Sequence, residues 1–381
     1  MDPVRLLLVS TTAVLSLMLL IEWNQYSDDY QKQQNELYTA AITEPGVLTN
    51  ESVAAPTNQG INDGIPSVNR ETNPLSVLLD DSETFNLSTE ALDLVVSADG
   101  GDVVSASLPK FPVRLDTPNQ PFRLLENNNL RRYVAQSGLI GPNGIDASGN
   151  RARYASQGVI DNGDGSHTLT LAWMGNDPLG MQVYKRFTAH DDRYDVNVSF
   201  DIRNDGSSIA SVTSFAQLKR DNTQAPDGNT GFGVSPYLGA ALTQPDERYT
   251  KLSFSDLNDE PFSKRLPAGW VAILQHYFVS AWIPSQQASH DFFASQLSNG
   301  DNVIGYKNQN VDIAPGSAAN ITQTLYVGPK DQVALAELAE NLDLVIDYGW
   351  LWWLAQPLFW LLTLIQQVVI NWGLAIIALT I

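Results

Sequence analysis

The sequence predicts a mainly β fold, a large antiparallel sandwich lying between two apolar ends. Three observations carry this. From about Phe85 to Lys330, apolar and polar residues alternate with period two, the pattern of strands with one buried face. Turn signals punctuate the same stretch at 99–101, 141–144, 161–165, 203–206 and 298–301. No strong helical period appears before Asp331. About fifteen strands fit this space, and one all-β domain of roughly 200–250 residues is ordinary.

The clearest strand runs through Tyr194, Val196, Val198, Phe200 and Ile202, with Asp195, Asn197, Ser199 and Asp201 between them. Residues 167–174, 320–328 and 91–96 alternate in the same way. At Asp331 the period changes. Val333, Leu335, Leu338 and Leu342 recur at helical spacing, which predicts a short amphipathic helix closing the domain.

Before the β domain, residues 6–21 are uncharged and mostly apolar, between Arg5 and Glu22. A spanning helix takes about 17–25 residues, and Val4 and Trp23 extend the run to that length. An uncleaved anchor is the expectation. A cleaved signal peptide and a buried helix remain as alternatives, though Glu22-Trp23-Asn24-Gln25 lacks the small residues of a cleavage site. Arg5 places the N-terminus in the cytoplasm and the rest outside. Residues 25–84 are rich in Gln, Asn, Ser, Thr, Glu and Pro. They bury too little apolar surface to repay ordering, so a flexible tether is expected.

Residues 348–381 hold no charged side chain and five of the nine tryptophans. Aromatic residues beside apolar ones settle at the membrane–water boundary. Trp23, Trp350, Trp352, Trp353, Trp360 and Trp372 are therefore the candidate membrane-interface residues. Pro357 suits the first turn of a helix. After it, Leu358, Leu361, Leu362, Ile365, Val368 and Val369 share one face, while Thr363, Gln366, Gln367 and Asn371 fall mostly on the other. That pattern describes a helix lying in the interface plane, without the basic residues such helices usually carry. A core helix of the β domain is the alternative. Gly373 is expected to break this helix, and residues 374–381 start a new apolar run. Eight residues make about 12 Å of helix against a hydrocarbon core near 30 Å, too short to span. The expected organisation is an anchor at 1–24, a linker at 25–84, the β domain at 85–347, an interfacial helix region at 348–372 and the start of a second transmembrane helix at 373–381.

The composition excludes several function classes. Lys and Arg total 22 against 42 Asp and Glu, a net charge of -20. Nucleic acid is not an expected partner, because phosphate binding needs clustered cations. There is no cysteine, hence no disulfide, thiolate zinc site or Cys nucleophile. His167, His190, His276 and His290 are not spaced like metal ligands, and no phosphate-loop, dinucleotide or nucleophile-elbow motif occurs. No metal or cofactor is expected. Asp191-Asp192 after His190 reads as a solvated turn, and His276 as a satisfied strand histidine.

Several segments together carry a resemblance: GGDVVSASLP from Gly100, QPFRLLE from Gln120, QSGLIGPNG from Gln136, SFAQLKR from Ser214, GWVAILQHYFVSAWIP from Gly269, IGYKNQ from Ile304, LYVGPK from Leu325, and LDLVIDYGWLWWLAQPLF from Leu342 leading to NWGLAIIALTI. In this order, over nearly the whole chain, they resemble the YidC-type membrane protein insertases of Gram-negative bacteria. The resemblance implies a periplasmic β-supersandwich of galactose-mutarotase-like fold between a first transmembrane helix and an interfacial helix. It implies insertion and folding of nascent inner-membrane proteins, alone or with the Sec translocon, in contact with inner-membrane lipid and without nucleotide or metal. The family's insertion groove and its arginine have no counterpart before Ile381. The chain is thus expected to be the N-terminal portion of a longer protein, ending inside the second transmembrane helix. The alternative is a membrane-anchored periplasmic docking module without insertase activity. A sugar-processing enzyme is the third reading, but fold alone does not give function, and no catalytic Glu and His pair can be placed.

Overall fold

The computed structural model describes residues 83–114, 116–146, 151–175, 180–223, 237–346 and 352–380. The anchor and linker expected at 1–24 and 25–84, Trp23 included, lie outside the described residues, except for residues 83 and 84. In chain order the strands are β1 (Thr84–Ser88), β2 (Asp93–Ser97), β3 (Val103–Pro112), β4 (Pro121–Asn127), β5 (Arg132–Ile140), β6 (Tyr154–Asp161), β7 (Ser166–Trp173), β8 (Met181–His190), β9 (Asp195–Asn204) and β10 (Ala210–Arg220). They continue with β11 (Gly239–Leu242), β12 (Thr250–Leu252), β13 (Phe262–Pro267), β14 (Val271–Leu274), β15 (Phe278–Ile283), β16 (Ser289–Gln296), β17 (Asn302–Lys307), β18 (Val311–Ile313) and β19 (Ala318–Pro329). Helix α1 (Gln332–Leu338), a 3-10 turn (Leu342–Val345), α2 (Trp352–Val369) and α3 (Trp372–Thr380) follow.

The strands form two sheets. One runs β1-β2-β3-β4-β5-β10-β17-β16-β13, with β18 also on β10. The other runs β12-β11-β14-β15-β19-β9-β8-β7-β6. The pairings are antiparallel, from the β1–β2 hairpin to β19 on β9. The main core lies between the sheets. Leu94, Val96 and Tyr133 from the first meet Leu169, Phe187, Val198 and Leu325 from the second. Trp282 of β15 is fully buried there, and its Nε1 donates to the Gln217 carbonyl of β10 at 3.1 Å. That bond stitches the two sheets at the centre of the sandwich.

The alternation expected of β9 holds. Val196, Val198, Phe200 and Ile202 are buried, while Asn197 and Arg203 are exposed. Nineteen strands are described, more than the alternation alone suggests. The additional ones are short, such as β11 (GAAL), β12 (TKL) and β18 (VDI). Such lengths show no readable period.

The closing helix is shorter than expected. α1 is capped by Asp331, whose Oδ1 accepts from the Val333 and Ala334 amides at 3.0 and 3.2 Å. It stops at Leu338, and Asn341 then takes a left-handed φ of 64°, so Leu342 belongs to a separate 3-10 turn. Leu335, Leu342 and Val345 pack on the outer face of β14 and β15. The Trp270 Nε1 donates to the Glu340 carbonyl at 3.1 Å, fastening this layer. Val333, expected on the apolar face, is instead 70% exposed. It sits in the first turn, on the side away from the sheet that holds Leu335.

Candidate functional site

Two groups of residues stand out from the fold: the uncharged helices after the β domain, and a buried polar network inside it.

α2 spans 18 residues and α3 nine, about 27 and 14 Å of helix. Among the described residues no helix is long and apolar enough to cross a membrane. The two helices pack against each other. Leu362, Thr363, Ile365 and Gln366 of α2 are half-buried, and Ala375 of α3 is fully buried. The remaining surface is apolar and bare. Leu358, Leu361, Leu364 and Val368 form an exposed row on α2, with Val369 beside it. Trp360 and Trp372 are 67% and 51% exposed, and Ile376 and Ile377 extend the apolar surface along α3. A soluble protein rarely shows so large a continuous apolar surface. The Thr363 hydroxyl donates to the Phe359 carbonyl at 2.9 Å, and the Thr380 hydroxyl to Ile376 and Ile377, so these hydroxyls need no water.

Trp352 and Trp353 open α2; Trp350 lies outside the described residues. The expected apolar face is divided. Leu358, Leu361, Val368 and Val369 are exposed, whereas Leu362 and Ile365 are half-buried beside α3.

Two local expectations are corrected. Pro357 lies inside α2 and not in its first turn, because the helix already begins at Trp352. It therefore removes one i to i−4 hydrogen bond. The break between the helices falls at Ile370–Asn371, ahead of Gly373, which belongs to the first turn of α3. The Ile370 amide donates to the Gln366 carbonyl at 2.7 Å and closes α2. Ile370 then adopts a left-handed φ of 56° and is 83% exposed. Such a conformation costs an L-residue roughly 1–2 kcal/mol. Asn371 Oδ1 accepts from the Leu374 amide at 3.1 Å, a helix N-cap worth about 0.5–2 kcal/mol.

The second group lies at the junction of β3, β5 and β8. Arg151 Nη1 donates to Asp146 Oδ1 at 2.8 Å, and its Nη2 to Asp102 and to the Ser137 carbonyl. Asp146 also accepts from the Leu139 and Ala152 amides at 2.9 and 3.0 Å. Lys185 of β8 crosses from the second sheet, and its Nζ donates to the carbonyls of Gly100, Gly101 and Ser137 at 2.8–3.0 Å. Gln136 bridges Asp102 to Gln217 at 2.7 and 2.9 Å. Two glycines make room. A Cβ on Gly138 would sit 2.4 Å from the Asp146 carboxylate, and one on Gly100 would sit 2.3 Å from the Arg151 guanidinium.

Two cations face two anions; both terminal nitrogens of Arg151 are hydrogen-bonded, while its buried Nε has no hydrogen-bond partner among the described residues. Burial works against the Arg151 charge, but Asp102 and Asp146 outweigh it and hold the guanidinium above its ordinary value. Burial pulls Lys185 down to about 7, opposed in part by Asp102. The network ties the two sheets together through Lys185. It has a pH signature. Between pH 7 and the ordinary lysine value of 10.5, the unfolded chain keeps a proton that the folded one has lost, so stability rises with pH across that window. The midpoint of thermal unfolding is expected to climb from pH 7 to about pH 10, and Lys185→Met should abolish that slope.

Asp191 lies in the β8–β9 turn and sits 3.2 Å from His167 Nε2, in keeping with a solvated turn. His276 is in the β14–β15 turn, not a strand, and stacks on Tyr277 at 4.0 Å. Its Nδ1 has no hydrogen-bond partner among the described residues. Among them, no group of acidic or histidine side chains could hold a metal.

A large antiparallel domain carrying an uncharged, outwardly apolar helix pair defines a protein with a water-facing β domain and a lipid-suited segment. Residues 84–361 match the family model of the YidC periplasmic domain. The chain is 38% identical over 391 residues to the membrane protein insertase YidC of a Marinomonas species, covering all of this chain and 68% of that protein. It is 39% identical over 385 residues to the Pseudomonas putida protein of the same name, again covering 68% of it. The chain belongs to the YidC family. Among solved structures it is similar to a galactose mutarotase related enzyme from Lactobacillus acidophilus, with 10% identity, 64% of this chain and 97% of that one covered, and a TM-score of 0.44. A galactose mutarotase-like protein from Lactobacillus casei gives 9%, 64%, 100% and 0.44. These are likenesses of fold.

Proposed function

We propose that this chain supplies the periplasmic β domain and the lipid-contacting helices of a membrane protein insertase of the bacterial inner membrane. Residues 1–24 anchor it, 25–84 tether the β domain at 85–347, and α2 lies in the outer interface. Trp350, Trp352, Trp353, Trp360 and Trp372 sit at headgroup depth there, and Trp23 does so beside the anchor. α3 opens a second spanning helix. The substrates are nascent inner-membrane proteins, received alone or from the Sec translocon and helped to fold. No enzyme chemistry, nucleotide or metal takes part.

The observation that carries this reading is the exposed, uncharged surface of α2 and α3, in a chain whose relatives are named insertases. With no ionisable group in this surface, its attachment rests on apolar area alone and should be insensitive to salt. The test is depletion of the protein in its host, followed by protease accessibility of a newly made single-spanning membrane protein. Uninserted substrate should accumulate on depletion, and the gene restored in trans should reverse it. Unchanged insertion would leave an anchored docking module as the better description.

A further inference from the structure

We infer that Asn371 is a positioning residue, which holds α3 at a fixed angle to α2 through the elbow at Ile370. The inference rests on the reading that α2 lies in the interface and α3 enters the bilayer. Three features support it. First, the connection is only two residues long and closed by hydrogen bonds on both sides: the Ile370 amide to Gln366, and the Asn371 side chain and carbonyl to the Leu374 and Ala375 amides. Second, Ile370 holds a left-handed conformation that β-branched residues avoid. Glycine would relieve that strain at once but would leave the joint loose. A branched residue confines the elbow, provided the cap holds the bend. Third, Ile370 turns its side chain outward beside Val368 and Val369, so the residue that bears the strain also adds to the apolar surface that meets lipid.

The angle between an interfacial and a spanning helix sets where the spanning helix begins in the bilayer. Asn371 acts on insertion by fixing that start, without touching a substrate. A short side chain ending in an oxygen is required, since a cap oxygen must reach the amide two or three residues on. Ser and Asp share that reach; Ala lacks the oxygen.

The test uses the whole protein in nanodiscs of phosphatidylethanolamine and phosphatidylglycerol. Residues 1–381 contain no cysteine, so nitroxides go on Leu361→Cys and Ile377→Cys, both exposed positions, with any cysteine outside these residues first replaced by serine. Electron–electron distance measurement is run beside an insertion assay with a single-spanning substrate. With Asn371 present, one narrow distance is expected. Asn371→Ala should lower the share of that distance about fivefold, the factor a lost cap carries, and reduce insertion in parallel. Asn371→Ser and Asn371→Asp should restore both. If Asn371→Ala keeps the narrow distance and full insertion, the inference is overturned. It is also overturned if Ser and Asp fail as Ala does, which would point to packing and not to a cap. If the parent protein does not insert the substrate at all, the functional reading fails, while the distance arms still decide the elbow.

Discussion

Replacing Arg151 with Ala is expected to unfold the β domain or leave it barely stable at 37 °C. Among the described residues only the Arg151 guanidinium bridges Asp102 and Asp146, and both carboxylates are buried. Removing one side of a buried ion pair costs about 3–5 kcal/mol, because the orphaned charge stays out of water. A whole domain is stable by only about 5–15 kcal/mol. The cavity left by the side chain adds to the loss. Near-ultraviolet circular dichroism and thermal unfolding of the purified protein read the effect. Adding Asp102→Asn, Asp146→Asn and Lys185→Met to Arg151→Met should recover part of the stability, since no charge then remains unpaired in the network. A variant as stable as the parent would show that the network does not join the sheets.

A lysine at Val368 is expected to leave the fold intact and damage the function. Val368 is 79% exposed, and exposed substitutions shift stability by about 0.5 kcal/mol at most. If the surface around Val368 meets water, the change is close to neutral. If it meets hydrocarbon, a charge there costs roughly 2 kcal/mol, somewhat below the value at a bilayer centre. That corresponds to about a thirtyfold loss of the lipid-seated arrangement. Leu361→Lys should act similarly, and Gln367→Lys, on the polar side of α2, should not. The contrast between insertion activity and thermal stability across these three variants is the readout.

Much of this architecture can be read from the residues alone. Long strands such as β8 and β9 announce themselves because one face is buried and the other is wet. The uncharged, tryptophan-rich close stands out by composition, and Leu358, Leu361 and Val368, read as one apolar face, are exposed on α2. Other features escape for physical reasons. β11, β12 and β18 are too short to show a period. The inter-sheet network joins residues from Gly100 to Lys185 and Gln217, which no local pattern connects. A trace of it is nonetheless visible. In β8 the inward positions read Met181, Val183, Lys185, Phe187 and Ala189, and a lysine in that row must find buried partners. Gly100, Gly101 and Gly138 mark where the partners crowd. Glycine weakens helices, so the residues alone place the break at Gly373, yet the chain turns at Ile370 and the Asn371 side chain caps the next helix two residues before that glycine. Capping chemistry outweighs glycine flexibility there.

The central claim is that the outer face of α2 rests in lipid. The most direct measurement is a nitroxide scan from Leu358 to Ile370 in nanodiscs, comparing collision with oxygen, which dissolves in hydrocarbon, and with a water-soluble nickel complex. The account predicts a helical period of about 3.6 residues, with oxygen contact highest at Leu358, Leu361, Leu364 and Val368 and lowest at Thr363, Gln366 and Gln367. Nickel contact should follow the opposite phase. Uniform contact with the nickel complex along the scan, or protection from both reagents at Leu361 and Val368, would contradict it.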